Sequence, residues 1–407
     1  ASYKFASLGG GVANNCGGEK TVKYGSVREW VIAIKAVLAD GSEVEFRKLN
    51  PEELAQKQAQ KDLEGEIYRQ TADLLIASHN LIQNSRLKVN KSSTGYWLYD
   101  VLDNDGGVNL ARLVVGDQGT LGILTEITLR TISRPKFTGL LLAEFDDLKK
   151  AGDVVNKILP LKPSAFELVD KFLIQTLSAT KPEMVKTVMA GRKEAPALVY
   201  FIEFEGETPE EVKNQANQAK KLLANLAIDL KEAYDPQEQN LLWQARRSAA
   251  IVAENAPGKK KSLPFIEDTV VPTDKLADYF IGLYKILQKY GTEFSVWGHA
   301  GNGNLHLQPF LDLSDPQDAE KVWKIAEEVY TLALSLGGAL SAEHNDGLMR
   351  TPFLNRQFSE PMLKLFTQVK KVFDPQGIFN PHKKVGGSAE FSQSHMRSEY
   401  NLEIAHK

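Results

Sequence analysis

The sequence predicts an α+β protein, and three observations carry that prediction. "WVIAIKAVLADGSEVEF" is two β-type runs around Asp40-Gly41, a hairpin signal. Residues 51 to 87 turn to helix formers with apolar residues at helical spacing, among them Ile67, Leu74 and Leu75. Beyond Arg134-Pro135, strand-like and helix-like segments alternate at lengths that suit a sheet with helices on one face.

Taken in order, residues 1 to 48 read as short strands and turns, with "LGGGVANNCGG" too glycine-rich for a helix or a packed strand. An inserted helical region follows, to about residue 92. "ARLVVGDQGTLGILTEITLRT" returns to β-type sequence, two apolar runs about a glycine-punctuated loop. Then come, in order, the strand "FTGLLLAEF", the helix "DLKKAGDVVNKIL", the strand "PSAFELVD", a helical stretch, the strand "PALVYFIEFEG" and the helix "TPEEVKNQANQAKKLLANL". Thr208-Pro209-Glu210-Glu211 is a strong helix start: a capping hydroxyl, proline in the first turn, then carboxylates facing the helix dipole. After Ser388 the chain is polar and weakly periodic, and is expected to be peripheral. No internal repeat is visible.

A chain of 407 residues has room for two or three domains, and 43% hydrophobic with 25% charged residues is ordinary for a globular protein. Lys plus Arg at 49 against Asp plus Glu at 52 gives a net charge of -3, which argues against a nucleic-acid partner and for small-molecule work. The single cysteine, Cys16, excludes an intrachain disulfide and fits a reducing, cytoplasmic setting. No uncharged apolar run reaches the roughly 18 residues of a spanning helix, which leaves peripheral contact with the inner face of a membrane open. The chain opens on Ala1 without a signal-peptide pattern, and its natural start is expected upstream.

Two of the seven histidines, His299 and His306, flank Asn302-Gly303 in "GHAGNGNLHLQ". A type I′ hairpin with Asn302-Gly303 as its two-residue loop sets His299 opposite His306, with Cβ atoms about 4.5 to 5.5 Å apart. Two imidazoles at that spacing can converge on one metal ion, or can be a simple hydrogen-bonded pair. The same register sets Trp297 opposite Gln308, a polar amide beside the metal position. "GGALSAEHNDG" adds Glu343 and His344, and two histidines with a glutamate form a recognised open catalytic metal set.

"GHAGNGNLHL", "GGALSAEHNDG" and "FDPQGIFNPHK" resemble, in order and spacing, the HAGDGNLHP, GGTISGEHG and FDPKGILNPGK motifs of the FAD-linked 2-hydroxyacid dehydrogenases and oxidases. That family includes D-lactate, glycolate and D-2-hydroxyglutarate dehydrogenases. The resemblance extends forward: "GGGVANNCGG…YGSVREWV" is similar to GGxxATNAGG…YGSTRDWV, and "LVVGDQGTLGILTEITLRT" to LxVGSEGTLGIITEATLRL. Five ordered motifs across residues 9 to 384 are far more specific than any one, and the insertion with "HNDGLMRTPF" looks closest to the D-lactate dehydrogenase branch.

The resemblance implies an FAD-binding domain of the PCMH/vanillyl-alcohol-oxidase type with a ferredoxin-like antiparallel-sheet cap. It assigns 1–135 to the flavin domain, 136–350 to the substrate cap with the metal site, 351–384 to a segment returning to the flavin domain, and 385–407 to a tail. By resemblance the metal (zinc, manganese or iron) falls to His299, His306 and Glu343, the base to His344, and the substrate carboxylate to Arg246, with Gln308 beside them. FAD falls to Gly10, Asn14, Gly17, Gly18, Tyr24, Gly25, Gly116, Gly119, Gly122, Ile123 and Asn380, where glycines let backbone approach the cofactor. The implied activity is oxidation of a D-2-hydroxy monocarboxylate, D-lactate to pyruvate, with hydride transfer to flavin. An electron-acceptor protein or quinone then takes the electrons, and a homodimer or partner subunit is compatible with this.

Departures from the pattern carry expectations of their own. Ile266 stands where hydroxyglutarate enzymes carry a substrate lysine, which favours a monocarboxylate. Asp117-Gln118 replaces Ser-Glu, and Gln308 replaces Asn or Pro. A PRGGGTSL-like pyrophosphate loop is absent from residues 1–407, so it is expected upstream or on a partner, and a non-catalytic subunit is the competing expectation.

Overall fold

The computed structural model describes residues 5–190, 192–249 and 258–396. The first of two sheets contains β1 (Val31–Val37), β2 (Glu43–Leu49), β3 (Val108–Asn109) and β4 (Ile123–Leu129), antiparallel throughout and ordered β3-β2-β1-β4. The β1–β2 hairpin turns at Asp40-Gly41, where Gly41 takes φ +85. The inserted helices are Pro51–Gln58, Leu63–Ala77 and His79–Asn84. Asn50 opens the first with a reciprocal capping box to Glu53 and with Pro51 in the first turn.

Two early segments differ from the sequence expectation. Leu8–Ala13, inside the glycine-rich stretch, is a short helix: Ser7 caps it by accepting from the Gly10 N–H, and Val12 is fully buried. Leu110–Val114 is a helix and not a strand. Its apolar residues Leu110, Ala111, Leu113 and Val114 are all buried, so tertiary burial overrides the β-type composition.

The second sheet contains β5 (Phe137–Phe145), β6 (Ala165–Asp170), β7 (Leu198–Gly206), β8 (Asp229–Ala233), β9 (Lys261–Ser262), β10 (Thr269–Val270), β11 (Phe294–His299) and β12 (Asn304–Leu311). Its order is β10-β12-β11-β6-β7-β5-β8, with β9 also on β12, and all pairs are antiparallel. Helices cover both faces, a correction to the single face expected. Leu141, Ala143, Phe166, Leu168 and Ile202 share a core with helices 148–158, 209–223 and 276–289. Leu140, Leu142, Val169, Val199 and Phe201 pack with helices 171–180, 182–189 and 236–247. The cause is legible in the strands, which are continuous apolar runs without the alternation of a one-sided sheet. Thr208 caps Pro209–Leu223 as expected, accepting from the Glu211 N–H.

The C-terminal part folds back onto the front. Lys370, in helix Glu360–Phe373, donates to the Thr120 and Phe379 carbonyls at 2.7 Å each. Lys384 donates to Ser93 O at 2.8 Å and Gly95 O at 2.7 Å, and pairs with Asp346 at 3.0 Å. The tail expected to be peripheral contains a docked helix, Ala389–Ser394, whose Ser392 hydroxyl donates to Leu348 O at 2.6 Å. Residues 397–407 of that tail lie outside the described residues. No described helix is long and apolar enough to cross a membrane.

Candidate active site

The β11–β12 connection is longer than the two-residue turn expected. Ala300–Asn302 form a 3-10 turn and Gly303 takes the left-handed conformation, so His299 opposes Asn304, Trp297 opposes His306, and Ser295 opposes Gln308. The register is shifted by two residues. An even shift preserves the face of every side chain, so His299 and His306 become diagonal neighbours on one face. Their rings meet edge-on with centroids 5.1 Å apart.

Both imidazoles turn their Nε2 atoms to a single carboxylate oxygen, Glu343 Oε1, at 2.8 Å from His299 and 3.3 Å from His306. All three residues are buried and their ligand-type atoms lie within 4.8 Å of one another. Behind His299, Nδ1 meets Glu167 Oε1 at 2.8 Å. Behind His306, Nδ1 faces Glu267 Oε2 at 3.8 Å. A carboxylate bonded to the far nitrogen is the usual outer support of a metal-binding histidine; Glu167 holds His299 in that way, while His306 Nδ1 has no hydrogen-bond partner among the described residues. The donor set thus fits a divalent ion. Burial works against charge on Glu343, yet His299 and Lys91 beside it hold its carboxyl well below the usual range. Burial likewise opposes a proton on His299, but Glu167 and Glu343 outweigh it and raise the pKa.

His344 stacks on His306 with centroids 4.8 Å apart, its side chain 47% exposed. Its Nδ1 bonds Glu267 Oε2. Burial lowers its pKa, but Glu267 and Asp268 outweigh that and push it up to about 10. Glu267 is in turn gripped by Arg350, with Nη2 3.2 Å from Oε1. Its neighbour Asp268 accepts from the backbone N–H groups of Glu343 at 3.0 Å and His344 at 2.7 Å. Glu267 and Asp268 precede β10 in a turn, and the left-handed φ of +84 at Asp268 lets both carboxylates serve the 343–344 loop.

Arg246 ends the helix Pro236–Arg247, buried, with Nη2 2.6 Å from Glu167 Oε2. Its Nε is buried without a hydrogen-bond partner among the described residues. Gln308 is buried on the imidazole face and accepts from the Ser262 hydroxyl. Ile266 does not line this space. It is fully buried in the main apolar core, which removes the pocket contact expected of it, and Glu267 is the residue that faces the imidazoles.

The glycine-rich segments reach the same loop from the other side. Asn14 Nδ2 donates to Glu343 O at 2.7 Å, and Asn345 Nδ2 donates to Gly116 O at 2.9 Å. A Cβ on Gly17 would come within 2.6 Å of Glu343 Oε2. Asn380 donates to Gln118 O at 2.6 Å, and Gln118 Oε1 accepts from the Gly347 N–H at 3.0 Å. Gly18 and Gly119 have open space where a Cβ would project, as a backbone cradle for a cofactor requires. Tyr24 bonds Glu205 on β7, Gly10 sits in the first short helix, Gly25 faces Glu29, Gly122 packs near Val37 O, and Ile123 is 57% exposed. Glu167, Glu267, Asp268, Lys91 and Arg350 escaped the sequence analysis. Their one signal was charge inside apolar runs, as in "SAFELVD" and "LPFIEDTVVP".

Two sheets joined by a loop that brings imidazoles and carboxylates to glycine-rich segments define a PCMH-type flavin oxidase fold. p-Cresol methylhydroxylase matches over 93% of this chain and 68% of its own, with a TM-score of 0.61 at 13% identity. Residues 134–384 match the family of FAD linked oxidases, C-terminal domain, and the chain belongs to that family. It is 29% identical over 386 residues to D-2-hydroxyglutarate dehydrogenase of Pseudomonas putida, covering 93% of this chain and 38% of that protein. It is 28% identical over 383 residues to D-lactate dehydrogenase of Archaeoglobus fulgidus, covering 93% of this chain and 70% of that protein. The chain thus spans well under half of the first relative's length and about two thirds of the second's.

Proposed function

We propose that the chain carries the substrate side of an FAD-dependent dehydrogenase of D-2-hydroxy monocarboxylic acids, D-lactate to pyruvate first among them. The supporting observation is the convergence of His299 Nε2 and His306 Nε2 on Glu343 Oε1, beside a loop bonded to Asn14 and Gly116. On this reading residues 1–135 and 351–384 form the flavin side and 136–350 the substrate side, with the chain's own glycines cradling FAD.

Arg246, through an Nε that has no hydrogen-bond partner among the described residues, holds the substrate carboxylate and so orients the α-carbon. Gln308 offers an amide next to the imidazoles. A divalent cation held by His299, His306 and Glu343 would lower the pKa of the substrate hydroxyl and offset the pull of Glu267 on His344. His344 takes the hydroxyl proton at Nε2, because its Nδ1 is engaged by Glu267. FAD, when bound, would supply the hydride acceptor, and an acceptor protein or quinone is the partner this chemistry calls for.

The test is anaerobic stopped-flow reduction of the flavin in the full-length protein. D-Lactate should reduce it with a higher rate per unit concentration than D-2-hydroxyglutarate, since this reading assigns no described cation to a second substrate carboxylate. Preference for the dicarboxylate refutes the substrate assignment. His344→Asn should retain flavin and slow reduction by about a hundredfold or more, the scale of a lost general base. His306→Ala should remove most bound metal while the fold persists, as elemental analysis and circular dichroism would report.

A further inference from the structure

Glu343 divides its two oxygens. Oε1 faces the two imidazoles, and Oε2 faces the ammonium of Lys91, a lysine whose side chain is fully buried. The contact at Oε2 is one of charge, and among the described residues that oxygen has no hydrogen-bond partner. Lys91 is far from a free-swinging surface lysine. The residues after it are stitched to the segment leading into the 343–344 loop: the Ser93 N–H and the Thr94 hydroxyl both donate to Ser341 O at 3.1 Å. Its ammonium also donates to Asn304 Oδ1 at 3.2 Å. Asn304 is itself oriented, its Nδ2 donating to Thr269 O at 3.1 Å, so that Oδ1 is left for the lysine. Gly17 makes room for the pair, because a Cβ there would lie 2.7 Å from Lys91 Cε and 2.6 Å from Glu343 Oε2.

A buried carboxylate beside two imidazoles is unstable unless a positive charge accompanies it. We propose that Lys91 is the resident counter-cation of the His299–His306–Glu343 set, neutralising Glu343 in the metal-free protein, and that a divalent ion binds against its charge. This rests on the metal assignment made above. The opposite role, an outer-shell group that helps the metal by orienting Glu343, predicts the opposite sign. Removing such a helper weakens metal binding about 10- to 100-fold. Removing a like charge a few ångströms from the ion strengthens it.

The experiment uses the full-length flavoprotein with chelator-buffered Zn²⁺ and Mn²⁺, and reads metal affinity together with the thermal midpoint of the chelated protein. Four variants enter: Lys91→Met, which keeps length and loses charge; Lys91→Gln, which keeps a donor for Asn304; Lys91→Arg, which keeps the charge; and His306→Ala. The Met and Gln variants should bind metal at least about tenfold more tightly than wild type, the scale of an outer-shell change. Their metal-free forms should melt at lower temperature and recover when metal is added, and the Arg variant should titrate like wild type. Unchanged or weaker binding in the Met and Gln variants, with wild-type binding abolished by His306→Ala, overturns the role of Lys91 and leaves the metal site standing. No binding by any variant, wild type included, overturns both.

Discussion

Glu167 is the residue on which the site's geometry turns, because it serves two clients at once: Oε1 holds His299 Nδ1 and Oε2 holds Arg246 Nη2. His299, of the metal set proposed above, and Arg246, proposed above for the substrate carboxylate, are thereby tied to one strand. Glu267 has a comparable double duty toward His344 and Arg350, and its effect can be read through pH. His344 binds its proton more tightly folded than unfolded, with pKa pushed up to about 10. A raised pKa contributes stability that is complete below the unfolded value of about 6.5 and disappears as pH rises through the folded value. In chelated protein, the gap in unfolding free energy between wild type and His344→Asn should therefore be widest near pH 6 and close toward pH 10. Urea titrations at several pH values measure it, and a gap that widens with pH contradicts the Glu267 contact. The histidines and Glu343 were legible in the sequence because their spacing repeats a recognisable motif. Glu167, Glu267, Asp268 and Lys91 were not, because their partners lie far away in sequence and only folding makes neighbours of them.

At the scale of elements, the hairpin shows what a local rule can and cannot decide. Asn302-Gly303 has the residue types of a two-residue turn, yet the chain uses four residues from Ala300 to Gly303. The reason lies outside the hairpin. Gly303 O accepts from the Val271 N–H at 3.0 Å, so β10 and the turn are docked together, a constraint invisible to turn chemistry. The face of both histidines survived because the slip was even. Gly303 itself has φ +69, and a Cβ there would collide with the Val271 carbonyl. Gly303→Ala should cost more than about 2 kcal/mol, combining left-handed strain with loss of that docking. Chemical denaturation checks the magnitude, and a cost within about 0.5 kcal/mol, as at an ordinary surface position, contradicts it. The long helices and the strands of the second sheet were legible for the opposite reason. Their apolar periodicity is strong and their caps, such as Thr208, are local. The short helices Leu8–Ala13 and Leu110–Val114 were not, because burial against distant elements decides them.

For the whole molecule, the 343–347 loop is the junction at which both sheets and the C-terminal segment meet. Asn345 is its pivot, with φ +70 and a side chain that donates to Gly116 O at 2.9 Å and Asn14 O at 3.3 Å. Asn345→Ala should loosen the metal set and the glycine-rich segments together, lowering retained metal and retained flavin in one variant, with the buried hydrogen bonds costing about 1 to 3 kcal/mol. Co-determination of flavin absorbance and metal content after gel filtration tests this, and loss of one without the other refutes the coupling. The same junction has a bearing on how the chain is made. Lys384 holds Ser93, Gly95 and Asp346 from far downstream of the first two. A ribosome adding about 5 to 20 residues per second delivers that lysine tens of seconds after Ser93 has emerged. The nascent chain can build its sheets during elongation, but the loop bearing Glu343 and His344 stays unlocked until residue 384 has emerged, so a product truncated or stalled before that point should be folded in its parts and unlocked at its centre.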